Sequence, residues 1–111
     1  MSSICQNESF QHKRGASFLV PIRIPSAFAD GHFVGWTLLS QARTEEDVLL
    51  ADLNATWEDP LTTRVILLKC LDTNAWTLGP AQFDVTLTDP DGFVLPTDTA
   101  IFYVVRGATH A

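Results

Sequence analysis

The feature that most constrains the fold is an alternation of apolar and polar residues with a period of two. It is clearest over Ala81 to Thr88, where Ala, Phe, Val and Leu occupy every second position and Gln, Asp and Thr lie between them. Successive side chains of a β-strand point to opposite faces, whereas a helix would distribute these residues around its circumference. The segment is therefore predicted to be a strand with one buried face.

Similar patterns, separated by turn residues, recur along the chain from Gly15 onward. The spacing of the predicted strands, roughly 8–12 residues, is typical of an antiparallel sandwich, and a small barrel is the structural alternative. Pro21 cannot donate a ladder hydrogen bond, so the first strand is predicted to lie at a sheet edge or to carry a bulge. The seven predicted strands are 17–25, 36–43, 48–57, 63–70, 81–88, 93–95 and 99–106.

Two connections have a more specific expected geometry. Asp89-Pro90-Asp91-Gly92 is predicted to form a hairpin turn, because Pro is preset for the second turn position and Gly tolerates positive φ. Asp72 is predicted to cap a single helical turn that runs through Trp76 and ends before Gly79-Pro80. The domain organisation that follows is a flexible polar leader over 1–14, one β-sandwich domain over 15–107 and a C-terminal tail over 108–111.

Charge and cysteine content narrow the class of protein. The 111-residue chain has 13 acidic and 7 basic residues and a net charge of −6, which argues against nucleic-acid or anionic-membrane binding. The two cysteines, Cys5 and Cys70, are expected to be free thiols in a reducing compartment. An apolar signal segment is absent from the first fifteen residues, and the longest aliphatic run, 65–68, is too short to span a membrane. These features predict synthesis and folding in a cytoplasm.

The sequence offers little evidence for catalysis or metal binding. His12, His32 and His110 have no Cys or His partner at ligand spacing, so no metal site is predicted. The nucleophile elbow, phosphate loop and dinucleotide fingerprint are all missing, and Cys70 is most simply a small buried hydrophobic residue. We therefore expect a protein that is not an enzyme, with no catalytic residue and no cofactor.

Aromatic residues in predicted loops are the candidate interaction surface. Phe28 and Phe33 flank the Asp30-Gly31 turn, Trp57 adjoins an acidic loop, and Trp76 lies in the predicted helical turn. Large aromatic side chains dominate the energetics of protein interfaces. The alternative interpretation is that these side chains close the ends of the sandwich.

The order of these motifs resembles that of the small immunoglobulin-like domains in structural proteins of tailed phages and prophages. The N-terminal domain of baseplate upper proteins is one such domain. The similarity extends over 15–106 and rests on turn chemistry and core spacing. The motifs are Phe18-Leu19-Val20, Ala29-Asp30-Gly31, Gly35-Trp36-Thr37, Asp72-Thr73 to Trp76, Gly79 to Asp84 and Pro90-Asp91-Gly92. The resemblance implies an all-β, antiparallel immunoglobulin-like β-sandwich of about seven short strands.

The resemblance also implies a function. A non-enzymatic structural or accessory protein of the phage tail or baseplate would act through protein–protein contacts. Its partners would be other virion or tail proteins, or further copies of the chain, and its location the host bacterial cytoplasm during synthesis and then the virion. The alternative is a ligand- or carbohydrate-binding β-sandwich module, which predicts a groove with an exposed Trp57 or Trp76.

Overall fold

A computed structural model describes residues 9–107, which form eight β-strands and no helix. The strands follow one another along a single path, β1-β8-β6-β3-β4-β5-β2, with the short β7 paired to β6. Every pairing is antiparallel except that of β1 with β8. The strands are β1 (Phe10–Lys13), β2 (Phe18–Arg23), β3 (Thr37–Thr44), β4 (Leu49–Trp57), β5 (Val65–Cys70), β6 (Gly79–Thr88), β7 (Val94–Pro96) and β8 (Ala100–Val105).

Strand β4 gives the sheet its curvature because its two halves pair with different neighbours. Up to Leu53, which lies opposite Ser40, it pairs with β3, and from Asn54, which lies opposite Lys69, it pairs with β5. A register shift between Ala42 and Arg43 adds a local irregularity, and such bulges increase bend and twist. The path thereby curls into a nearly closed barrel, which confirms the predicted all-β class.

The two ends of the path, β1 and β2, do not pair with each other, and the gap between them is called the seam below. The backbone N–H of Ile24 donates to the Arg64 carbonyl oxygen at 2.8 Å. Because the backbone N–H and C=O groups of successive strand residues point to opposite sides, the backbone of Pro21 faces the side of β2 away from β5. The predicted edge position of this strand is confirmed, and the missing N–H of Pro21 removes no ladder bond.

The core lies between the inward faces of the strands. In β6 the residues Ala81, Phe83, Val85 and Leu87 are buried, as the alternation predicted. Phe102 on β8 is fully buried, and it lies among aromatic rings from four other segments. Its ring centroid is 5.2 Å from that of Phe10, 5.3 Å from Phe18, 5.9 Å from Phe83 and 6.0 Å from Trp76.

Three predictions about local structure need correction. Residues 10–13, predicted to belong to the leader, form β1, whose partner β8 is far away in sequence, so no turn signal marks the pairing. The predicted helical turn is instead a hydrogen-bonded turn, in which Trp76 N–H donates to Thr73 O and Asn74 N–H donates to the Asp72 side chain. Leu49, predicted to point inward, is 45% exposed, because Leu50 is an extra residue in the β3–β4 register and lies between Leu49 and Ala51.

The predicted domain boundaries can be compared with the structure only within residues 9–107. Residues 1–8 of the predicted leader and the tail over 108–111 lie outside the described residues. The Asp89–Gly92 hairpin turn is present, with Gly92 at φ 93° and the Asp89 side chain accepting from the N–H groups of Asp91 and Phe93. No helix in this part of the chain is long and apolar enough to cross a membrane.

The packing around Phe102 leads to a prediction about stability. Phe102→Ala is expected to lower the free energy of unfolding by about 3–5 kcal/mol, because it leaves a cavity in contact with four aromatic rings. Ile101→Ala is the matched control, since Ile101 precedes it on β8 and is 50% exposed. Urea unfolding followed by tryptophan fluorescence measures both. Equal losses for the two variants would show that this cluster is not the centre of the core.

Candidate functional site

A shallow groove crosses the outer face of β3 and β6, with a volume of about 320 Å³. The antiparallel register places Gln41 opposite Asp84 and Arg43 opposite Gln82, so polar side chains of both strands meet on this face. We call it the polar groove. Its outward-facing side chains are Leu39, Gln41, Arg43, Asp47, Gln82, Asp84, Thr86 and Thr99.

Hydrogen bonds hold the β3 side of the polar groove in one arrangement. Arg43 Nη2 donates to Gln41 Oε1 at 2.7 Å, and Gln41 Nε2 donates to Asp52 Oδ1 at 2.8 Å. Arg43 Nη1 also donates to the carbonyl oxygen of Asp47 at 3.0 Å. A ligand therefore meets side chains that are already oriented, and this reduces the entropy lost on binding.

The β6 side of the polar groove presents hydrogen-bond acceptors. Asp84 is half-buried, and its backbone carbonyl accepts from Ser40 Oγ at 2.6 Å, while its carboxylate enters no hydrogen bond within residues 9–107. Gln82 Nε2 donates to the Thr44 carbonyl oxygen, which leaves Gln82 Oε1 as an acceptor. Oxygen acceptors from β6 thus face the ordered amide and guanidinium groups of β3.

A smaller hollow of about 190 Å³ adjoins the polar groove and shares Gln82 with it. Pro80, Ile101 and Tyr103 supply its apolar lining, and the Tyr103 side chain is 43% exposed. Glu45 lies at its margin. Together the two depressions combine a polar centre with an apolar, aromatic flank on one continuous sheet face.

A second notable feature, which we call the aromatic end, lies where β2, β4 and β6 finish. Three of the four aromatic residues predicted from the sequence, Phe28, Phe33 and Trp57, meet there together with His32, Trp36 and Phe93. Arg64 supports this end, since its guanidinium donates to the backbone carbonyls of Phe28, Ile24 and Pro25 and forms an ion pair with Asp30.

Burial divides the predicted interaction residues. Phe33 is fully buried and Trp76 is 2% exposed, so both are core residues, as in the end-closing alternative. Trp76 also lies apart from the other three, against Phe18 and His12. Phe28 and Trp57 are half-buried, and the indole Nε1 of Trp57 is buried without a hydrogen-bond partner among residues 9–107. An interaction role stays a prediction for Phe28 and Trp57.

Sequence reasoning missed the polar groove. Outward polar residues on a strand ordinarily indicate a solvated face, and nothing in the sequence reveals that β3 and β6 are neighbours. The available signal in the sequence was the set of polar residues that alternate with apolar ones. These are Gln82, Asp84 and Thr86 in one predicted strand and Gln41 and Arg43 in another. Only the register of the two strands joins these residues into one site.

His12 is the buried titratable group of the described chain. Its Nε2–H donates to the Ala16 carbonyl at 3.0 Å and lies 3.3 Å from Thr73 Oγ1, which itself donates to the same carbonyl at 2.7 Å. The imidazole packs edge-on against Phe18. Burial lowers the pKa of His12 below 6.5, and the hydrogen bond to Ala16 opposes this effect only in part. Across residues 9–107, no three His, Cys, Asp or Glu side chains cluster as metal ligands would.

Comparison with known proteins gives a likeness of fold. No protein-family model matches the sequence, and no curated protein sequence matches it. Among solved structures, the chain is similar to CopC from Methylosinus trichosporium OB3b, with a TM-score of 0.55 and 13% identity over 93% of this chain and 89% of that one. At this identity the likeness concerns the fold alone.

The predicted function as a phage or prophage virion protein is contradicted by this comparison. The similar structure is CopC from Methylosinus trichosporium OB3b, which is not a phage protein. The motifs behind the phage resemblance were turn residues and core spacing, which the geometry of antiparallel strands imposes on many unrelated all-β domains. These motifs therefore indicate an all-β fold and give no evidence for a function in a virion.

The environment of His12 predicts a pH-dependent stability. Above pH 6.5 the imidazole is neutral in both states, and below it the unfolded chain binds the proton first because the folded pKa is lower. The free energy of unfolding should therefore fall as the pH drops from 6.5 towards the folded pKa, and level off below it.

Thermal unfolding of wild type and His12→Gln at several pH values measures this. His12→Gln should flatten the dependence and His32→Gln, at an exposed site, should not. The opposite ranking would rule out His12 as its source.

Proposed function

We propose that this protein is a ligand-binding module whose polar groove binds a neutral, polyhydroxylated ligand of the carbohydrate class. The observation that carries the proposal is the ordered row of Arg43, Gln41 and Asp52 facing the Asp84 carboxylate across a groove of about 320 Å³. Ligand sites typically combine a concave surface with a few convergent polar groups, and volumes of about 300 Å³ or more are usual.

The chemistry of the lining favours a sugar over a charged ligand. Each sugar hydroxyl both donates and accepts, and planar carboxamide, carboxylate and guanidinium groups satisfy both roles. The Asp47, Asp52 and Asp84 carboxylates oppose an anion, and the Arg43 guanidinium is already engaged by Gln41 and Asp47. The adjoining hollow with Tyr103 offers an aromatic surface for the C–H face of a sugar ring.

The proposal has two further parts, which concern catalysis and the finer arrangement of the strands. We also propose that the module binds its ligand without converting it. We further propose that the nearly closed barrel is arranged as two packed sheets in the immunoglobulin-like manner; the division of β4 between β3 and β5 supports this. Both follow the predictions made from the sequence.

Copper binding does not fit the described residues as well. A copper site requires several nitrogen, sulfur or oxygen ligands converging on one point. No group of three His, Cys, Asp or Glu side chains converges in the part of the chain from 9 to 107, and the Nε2 of His12 is already hydrogen-bonded. We therefore include copper as a comparison in the experiment and do not propose it.

The test is a two-dimensional ¹H–¹⁵N NMR titration with neutral oligosaccharides built from glucose, galactose or N-acetylglucosamine. Binding should shift the amide signals of Gln41, Arg43 and Asp84. Asp84→Ala should weaken the affinity about tenfold or more, because it removes a charged hydrogen-bond acceptor. Asp91→Ala, in the exposed hairpin turn, is the matched control and should bind like wild type.

Other outcomes would contradict the proposal. Shifts confined to residues outside the polar groove would place the site elsewhere, and no shifts with any of the three sugar series would remove the carbohydrate assignment. A Cu(II) titration on the same sample supplies the comparison. Stoichiometric copper binding that Asp84→Ala leaves unchanged would indicate a metal-binding function instead.

A further inference from the structure

The seam between β1 and β2 is an open site in the strand path. Among residues 9–107, strand β1 pairs only with β8 and β2 only with β5, so within this part of the chain each has one unpaired edge. The two strands border a groove of about 420 Å³. The lining residues are Phe10, Gln11, His12, Ser17, Phe18, Leu19, Val20 and Pro21. Free strand edges are templates for pairing with another chain.

The free edge of β1 is better suited to pairing than that of β2. Arg14 N–H donates to Val105 O at 2.8 Å, so alternation directs the N–H and C=O of Gln11 and the N–H of Lys13 away from β8 and towards the seam. The Lys13 carbonyl accepts from the Ala16 N–H at 3.1 Å and is therefore already engaged. The free edge of β2 includes Pro21, which has no N–H to donate. An added strand would therefore find its hydrogen-bonding partners along β1.

Charge is segregated around the seam. Five of the seven Lys and Arg residues lie on, or directly after, the four strands that border it or pair with its edges, and these strands carry no acidic residue. The five are Lys13, Arg14, Arg23, Lys69 and Arg106. The other two, Arg43 and Arg64, are engaged in contacts within the fold. In a chain of net charge −6, the strands around the seam thus form a local basic region, and the five basic side chains lie beside the residues that line the groove itself.

The seam also has an apolar floor, supplied by Phe10, Phe18 and Val20. A strand lying over it would direct every second side chain to this floor and the others to solvent beside the basic residues. The complementary segment is extended and alternates apolar with acidic residues. A second copy of the seam fits poorly, because pairing two seams would bring Lys13, Arg14 and Arg23 of both copies together.

We propose that the seam binds an extended acidic segment of a partner protein as an added strand along β1. Main-chain hydrogen bonds would supply affinity, and the apolar floor and basic rim would supply specificity. The site is separate from the polar groove, which lies on the outer face of β3 and β6. Failure of the sugar assignment therefore leaves this proposal intact, and the reverse also holds.

The experiment uses the full chain and a fluorescein-labelled peptide of seven alternating valine and glutamate residues, with binding followed by fluorescence anisotropy. Two control peptides replace every glutamate by lysine or carry N-methyl groups on alternate amides. We expect the acidic peptide to bind and both controls to bind at least about tenfold more weakly, because one lacks charge complementarity and the other cannot pair.

Variants locate the bound peptide. Lys13→Glu combined with Arg14→Glu should weaken binding of the acidic peptide about tenfold or more, whereas Leu61→Glu, at a 77% exposed position outside both the seam and the polar groove, should leave it unchanged. Gln11→Pro removes an N–H that faces the seam and should also weaken binding. Should Gln11→Pro fail to fold by circular dichroism, the N-methylated peptide still tests the backbone pairing.

Several results would overturn the proposal. These are equal binding of the acidic and lysine peptides, undiminished binding of the N-methylated peptide, and no binding of the acidic peptide by wild type. Light scattering of the free protein adds one more test. A dimer that Gln11→Pro dissociates would assign the seam to contact between copies of the chain.

Discussion

The architecture depends on the divided pairing of β4. Because its first half pairs with β3 and its second half with β5, one continuous strand joins what would otherwise be two separate sheets. Inward-facing aromatic rings of β1, β2 and β6 then converge on Phe102 of β8. The same curvature brings the ends of the strand path, β1 and β2, to face each other without pairing.

Each candidate site is a consequence of this arrangement. The polar groove is the outer side of β3 and β6, whose inner side is the core, so the alternation that buries Phe83 and Val85 also exposes Gln82 and Asp84. The seam exists because the path is not closed. The hydrogen bonds of His12 and Thr73 to Ala16 tie β1 to the loop after β5 and so help to define one wall of the seam.

Much of the strand pattern could be predicted, because alternation and turn residues are local properties. The strand around Ala81 to Thr88, the Asp89–Gly92 hairpin and the edge position of β2 were all predictable in this way. Strand β1 was not, since Phe10–Lys13 carries polar residues that are ordinary for a leader, and only its parallel pairing with β8 makes it a strand. The aromatic residues predicted as an interaction surface were found partly in the core, because sequence does not distinguish an aromatic that closes a barrel from one that meets solvent.

The sequence alone determined the class of fold, since period-two alternation separates a buried from an exposed face in each strand whatever its neighbours are. It also determined where several of the turns lie, because Gly and Asp occupy backbone conformations that other residues avoid. The tertiary structure decided which strands are neighbours, and with that the polar groove, the basic seam and the burial of Phe33 and Trp76. These depend on contacts between residues far apart in the chain, for which no local pattern of side chains is sufficient.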